Sequence, residues 1–205
     1  MARSKSSKRW LKEHFDDHFV RESQKKGYRS RAVFKLEELN DRDNLIRANQ
    51  HIIDLGAAPG GWSEYALSAS NFKSHVIGLD ILPIDPIEGV EFIQGDFTEQ
   101  KVLDELLKLL NGQQVDLVLS DMAPNISGLE AVDQPKSMYL CELALELATE
   151  VSKTGSNFVC KVFQGSGFDE YLKKVRLTYQ TVKIRKPKAS RDRSKEVYIV
   201  GLGFK

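Results

Sequence analysis

The sequence predicts an α/β protein with a seven-stranded, mostly parallel sheet, an antiparallel edge hairpin and helices on both faces. Three observations predict it. Short β-branched runs alternate with stretches of helical periodicity. The strand candidates read as continuous apolar runs, the pattern of strands covered on both faces. The first of them ends in a glycine-rich turn, "DLGAAPGGWSEY" at 54–65, that leads directly into a helical run.

Ser30–Leu39, "SRAVFKLEEL", reads as a helix ahead of the first strand. Strands are expected at His51–Leu55, His75–Asp80, Val90–Gln94, Val115–Ser120, Asn157–Phe163, Thr181–Arg185 and Glu196–Leu202. Trp62–Ser70 follows the glycine turn as a helix. Thr98–Leu110 repeats leucine at helical spacing, with Thr98 as its expected N-cap. Gln134–Thr149, rich in Leu, Ala and Glu, and the shorter Gly167–Val175 complete the helices. Only "KPKASRDRSK" separates the last two strands, so they are expected to form the edge hairpin, one of them antiparallel.

A chain of 205 residues suits one domain with a short appendage. The boundary is expected near residue 28, with 1–28 a basic, partly mobile N-terminal extension and 29–205 a single domain. No apolar run approaches the roughly 20 residues that span a bilayer, and "MARSKSSKRWLKEHF" lacks the apolar stretch of a secretory signal. Two cysteines, Cys141 and Cys160, make neither a disulfide framework nor a metal cluster, so a reducing, cytoplasmic setting is expected. His14, His18, His51 and His75 show no zinc-ligand spacing, and no metal is expected. The net charge of +1 hides an asymmetry: residues 1–35 and 173–195 are strongly basic, and the middle holds most carboxylates. If the two ends meet in space they form a polyanion-binding face; otherwise they are solvated charged segments.

The glycine turn runs Gly56, Ala57, Ala58, Pro59, Gly60, Gly61. The nicotinamide fingerprint needs its second glycine two residues after the first, and here that spacing fails. Pro59 has no N–H to offer a phosphate, and the lysine of a P-loop is absent. The turn permits close approach but is a poor anion cradle. Acidic residues then recur at strand ends: Asp54, Asp80 in "VIGLD", Asp96 in "IQGDF" and Asp121 in "VLSDMAP". Open α/β sheets bind ligands at those ends, and an acid at the second strand can accept from ribose hydroxyls. One such Asp alone is usually a cap or turn former; four in equivalent places fit an adenosine ligand with a positive centre. S-adenosylmethionine has a ribose, an adenine and a sulfonium.

Together, "DLGAAPGGWSEY", "GLDILPI", "GDF", "SDMAPN" and "CKVFQG" resemble the FtsJ/RrmJ family of RNA 2'-O-ribose methyltransferases, from about Ser30 to the C-terminus. Within it, the short length is similar to that of the bacterial enzymes that act on a uridine of 23S ribosomal RNA. The resemblance implies a Rossmann-like S-adenosylmethionine-dependent methyltransferase fold, with cofactor contacts at Gly60, Trp62, Asp80, Asp96 and Asp121. It also implies a catalytic tetrad of Lys35, Asp121, Lys161 and Glu196, and ribosomal RNA, on the assembled large subunit, as the partner. No membrane and no obligate protein partner are expected.

Lys161 is odd on sequence grounds alone. It interrupts the apolar run "NFVCKVF", where a buried charge is costly unless paired. The ordinary alternative is a lysine that snorkels from an edge strand. A ribose hydroxyl is a weak acid and must lose its proton around the moment of attack, so Lys161 is expected to act as base or alkoxide stabiliser. Lys35 and Glu196 would position it and the ribose, and Asp121 would orient it beside the methyl donor. "SDMAPN" lacks the aromatic with which amino-methylating enzymes stack a flipped base. Arg29, Arg31, Lys35 and "RKPKASRDRSK" are candidate phosphate ligands. Trp10, Phe15 and Tyr28 could stack bases or pack in the core. Methylation of transfer RNA or an mRNA cap, or a non-catalytic RNA-binding role in ribosome assembly, are the competing readings; a nicotinamide oxidoreductase fails on glycine spacing.

Overall fold

The computed structural model describes residues 17–205. The chain runs α1 (His18–Lys26), α2 (Val33–Asp43), β1 (His51–Leu55), α3 (Gly61–Ala69), β2 (His75–Asp80), β3 (Val90–Gln94) and α4 (Gln100–Leu110). It continues through β4 (Val115–Ser120), α5 (Glu130–Val151), β5 (Ser152–Phe163), α6 (Phe168–Thr178), β6 (Tyr179–Arg185) and β7 (Glu196–Phe204). The strands form one sheet in the order β3-β2-β1-β4-β5-β7-β6. Strands β1 to β5 are parallel to their neighbours among themselves, and β7 runs antiparallel to both β5 and β6. The chain winds outward through β2 and β3, then returns to the other side of β1 at β4. That reversal opens a crevice beyond the C-terminal ends of β1 and β4, where such sheets bind ligands.

Alternation along each strand feeds two cores. Ile52, Leu117, Val159 and Tyr198 face α2 and α3, against Leu36, Leu39, Trp62 and Ala66. Ile53, Val118, Phe158, Cys160 and Ile199 face α4, α5 and α6. Both faces of the central strands are covered, so these carry no polar stripe, whereas the edge strands β3 and β6 keep exposed polar positions.

Four local readings change. Thr98 does not cap α4: its N–H and hydroxyl both donate to Asp96 Oδ1, at 2.9 and 2.7 Å, and Glu99 holds the N-cap place without a side-chain bond. Helix α5 starts at Glu130 and carries Pro135 inside it, so the helix forms despite one missing N–H. Strand β5 begins at Ser152, five residues early, with a register irregularity opposite Val115–Leu117. Residues 18–26 of the expected extension form α1, capped by Asp17, which accepts from Phe19 N at 2.9 Å. The Phe19 ring lies 5.4 Å from that of Phe34 on α2. Tyr28 packs edge-on against Phe34 at 5.5 Å, in keeping with a packing role. Trp10 and Phe15 lie outside the described residues.

The two basic segments meet. Arg31 donates to the carbonyl of Ala189, and Glu38 on α2 accepts from Lys188 N at 2.7 Å. At the far end of α2, Asp43 is half-buried, and its covered side chain holds Lys183 and Arg185 of β6 at 2.8 Å each. The β6–β7 loop is thereby docked along α2.

Candidate active site

The turn after β1 is bonded to its neighbour strand: Gly56 N and Ala57 N both donate to Leu79 O, at 2.9 and 3.1 Å. Gly56 has φ +78°, and a Cβ there would lie 2.8 Å from Met122 N. Only glycine lets this turn meet the backbone that follows β4. Beyond it opens a cavity of about 450 Å³ lined by Asp80, Asp96 and Asp121 with Leu82, Phe97 and Met122 among the apolar residues. Asp80 is fixed by two backbone donors, Ala58 N to Oδ2 and Leu82 N to Oδ1, both 2.9 Å. The Thr98 N–H, then its hydroxyl, hold the Asp96 carboxyl below its usual range. Three carboxylates in one half-apolar cavity fit a cationic ligand that also carries hydroxyls and a flat ring.

Gly60 and Trp62 lie outside this wall. The Cβ position of Gly60 faces Ile87 and Arg29, at 2.7 and 3.3 Å. The Trp62 indole is buried, donating from Nε1 to Ala32 O at 2.8 Å. Both residues stand at the N-terminus of α3, whose first N–H groups have no partner within the helix.

Asp54 does not reach the cavity either. It is fully buried on the α3 side of the sheet, where its Oδ2 accepts from Ser63 Oγ at 2.6 Å and its Oδ1 has no partner among the described residues. Burial pushes this carboxyl up to about 7, against the Ser63 hydrogen bond, and the charges of Asp121 and Asp80 add to the rise.

Lys161 is 8% exposed and lies in a central strand, which rules out a snorkelling edge lysine. Its Nζ meets Asp121 twice, at 2.6 Å from the carbonyl oxygen and 3.0 Å from Oδ1. Lys35 pairs with Glu196 at 2.8 Å. Tyr198 joins the two pairs: its hydroxyl donates to Asp121 Oδ1 at 2.7 Å, and Lys35 Nζ stands 5.7 Å from its ring centre. Burial works against charge on Asp121, but Lys161, Lys35 and the Tyr198 hydroxyl together hold its carboxyl below the usual range. Burial, with Asp121 and Glu196 nearby, pushes the Tyr198 phenol up and keeps it protonated. All four residues of the expected tetrad are therefore brought together. Tyr198 is the member the sequence reading missed; alternation in "KEVYIV" was its signal, because Glu196 and Tyr198 share a face.

Beside the tetrad, Arg31, Lys35, Arg191 and Arg193 line a second cavity of about 490 Å³. Arg29 is turned elsewhere, donating to the carbonyls of Asp85 and Pro86 at 2.9 and 3.1 Å.

The FtsJ-like methyltransferase family model matches residues 28–204. The chain belongs to this family. Over all 205 residues it is 57% identical to the ribosomal RNA large subunit methyltransferase E of Marinobacter nauticus, covering 99% of that protein. The crystal structure of a ribosomal RNA methyltransferase from Plasmodium falciparum is similar, with TM-score 0.77 and 30% identity, covering 86% of this chain and 98% of that one. An rRNA-methylase structure from Clostridium thermocellum shares the fold at TM-score 0.57 and 16% identity, over 82% of this chain and 97% of that one. An FtsJ-like methyltransferase needs a methyl donor, and the acidic cavity abuts the tetrad through Asp121, which belongs to both.

Proposed function

We propose that the protein transfers a methyl group from S-adenosylmethionine to the 2'-hydroxyl of a uridine ribose in 23S ribosomal RNA, acting on the assembled large ribosomal subunit in the cytoplasm. The observation that carries this reading is Lys161, buried in a central strand and anchored twice on Asp121, which lines the acidic cavity, while Lys35 and Glu196 line the cationic one. The name of the Marinobacter relative supports the substrate, the four cations of the second cavity suit phosphates, and the free thiols of Cys141 and Cys160 suit a reducing compartment. Residues 29–205 would act as a single catalytic domain.

When bound, S-adenosylmethionine supplies an electrophilic methyl group on a sulfonium. Asp80 would accept from the ribose hydroxyls and Asp96 from the adenine amino group, with Leu82, Phe97 and Met122 as apolar contacts. Trp62 would contribute its backbone N–H at the N-terminus of α3, where a carboxylate is favoured, and Gly60, whose own N–H is bonded to Ala57 O at 2.6 Å, would allow close backbone approach beside it. A neutral amine has two N–H bonds and one lone pair. Two acceptors of Asp121 already face Lys161 Nζ, so the position left for the substrate hydroxyl is the lone pair. A hydroxyl placed there would give its proton to Lys161 as the oxygen takes the methyl group and the carbon–sulfur bond breaks, leaving a neutral thioether. In the ammonium form the same position would donate to, and stabilise, the developing alkoxide. The Lys35–Glu196 pair would hold the ribose edge, and Tyr198 would keep Asp121 aimed. The test is incubation with labelled methyl donor and large subunits lacking the modification, followed by nucleotide mapping. Label on a ribose 2'-oxygen of 23S RNA is expected; label on a base or on transfer RNA, or none, refutes the reading.

A further inference from the structure

Alternation along β5 puts Lys161 and Phe163 on one face, one pleat apart, about 7 Å along the strand. Their partners across the antiparallel ladder are Tyr198 and Glu196, so Phe163 stands beside the tetrad at the open end of its strand. It is half-buried, and it borders two cavities at once. One is the cationic cavity of Arg31, Lys35, Arg191 and Arg193. The other, about 260 Å³, lies toward α5 and is lined by Ile126, Gly128 and Gln134, with Glu130 paired to Lys195 and Asp133 accepting from the backbone of Ser127 and Gly128. Ile126 is 62% exposed on the loop that leaves Asp121, with Leu129 exposed nearby. The end of β5 is pinned: Gln134 Nε2 donates to the carbonyls of Phe163 and Ser166, at 3.1 and 3.0 Å.

We propose that Phe163 is the platform for the nucleobase of the nucleotide being methylated, with Ile126 bordering the same cavity and the neighbouring cationic cavity holding the flanking phosphates. The inference rests on the RNA ribose reading above. A nucleotide whose 2'-oxygen meets Lys161 carries its base on the adjoining sugar carbon, so the base must settle within one sugar's width of the lysine. "SDMAPN" offers no aromatic ring there, and Phe163 does. The cationic side suits phosphate, whereas an aromatic ring beside an aliphatic residue suits the π face of a base. A pinned strand end lets the ring receive the base without first being ordered.

The experiment compares wild type, Phe163→Leu and Phe163→Tyr on large subunits that lack the modification. Donor affinity and melting temperature are measured alongside kcat and KM. Loss of one base–aromatic stack predicts that Phe163→Leu lowers kcat/KM by about tenfold or more, and that Phe163→Tyr stays within about threefold of wild type. Donor affinity and melting temperature should not move. In a second arm, a photoreactive benzoylphenylalanine at position 163 should cross-link to the methylated nucleotide. Wild-type kcat/KM in Phe163→Leu, or cross-links that avoid that nucleotide, overturn the proposal. If Phe163→Leu melts early, the cross-link decides. If wild type methylates no ribosomal RNA ribose, the parent reading has failed, a result visible before any variant is compared.

Discussion

Asp54 should make the protein less stable as pH rises toward neutrality, and Asp54→Asn should abolish that trend. The carboxyl is fully buried, with one hydrogen bond and one unpartnered oxygen among the described residues, and two further acids nearby. Its pKa is pushed up to about 7 in the folded protein, against about 3.9 in an unfolded chain. Between those values the native state keeps a proton that the unfolded state has released, so stability falls as pH rises. Below the window both states are protonated, and above it both are ionised. A rise of about three units is worth ~4 kcal/mol across the full window. Roughly 2–3 kcal/mol of it falls between about pH 5 and pH 7.5. Urea unfolding of wild type and Asp54→Asn at several pH values isolates the effect, because other titrating groups cancel in the difference. Wild type should lose stability relative to the variant as pH rises through that range. A difference that stays flat, or that moves the other way, would refute the account of Asp54 as a carboxyl kept neutral by its surroundings. The baseline gap is a separate matter, since the Asn amide also lacks a second partner.

Other expectations concern the tetrad and the α2–β6 clasp. Lys161→Ala should lower kcat by about a hundredfold to ten-thousandfold while donor binding persists; near-normal methyl transfer by the purified variant refutes the role given to Lys161. Tyr198→Phe removes one buried donor to a carboxylate, worth about 1.5–3 kcal/mol, and should slow turnover about tenfold to a hundredfold with KM little changed. A change confined to KM would move Tyr198 from aiming Asp121 to binding substrate. Asp43→Ala leaves Lys183 and Arg185 without their shared carboxylate and should destabilise by about 2–4 kcal/mol in urea unfolding. The Arg185 hydrogen bond, with Lys183, holds the Asp43 carboxyl below its usual range against the effect of burial. Its stabilising contribution is therefore present at neutral pH and fades as pH falls below about 4; a wild-type advantage that persists in acid contradicts it.

The sequence made the sheet legible because its strands are buried on both faces, and continuous β-branched runs such as "HIIDL" and "VDLVLS" admit few other readings. Their order in space was less legible, since insertion of β7 between β5 and β6 depends on pairing between distant segments. Thr98 misled because its hydroxyl has a nearer acceptor in Asp96 than the N–H groups of α4. The start of α5 was hidden by Pro135, which reads locally as a helix start, although tertiary packing carries the helix past it. At the site, the motif residues told which side chains come together, but not what each one faces. Trp62 looked like a ligand wall and is packed inward, between Ala32 and Tyr198. Arg29 looked like a phosphate ligand and instead holds the carbonyls of Asp85 and Pro86. Tyr198, in a plain apolar strand, carried no charge to draw attention to it.

Insertion of β7 also sets a clock. Lys35, Asp121 and Lys161 are all made before Glu196 and Tyr198, which sit on the last strand in the chain yet pair inside the sheet. During synthesis, the segments that line the acidic cavity, from β1 to α5, are made while the lysines still lack their full set of partners. The Lys35–Glu196 pair and the Tyr198 bond to Asp121 form only when β7 is seated beside β5. Under the proposed function, a nascent chain would therefore stay inert until β7 has been made and seated between β5 and β6.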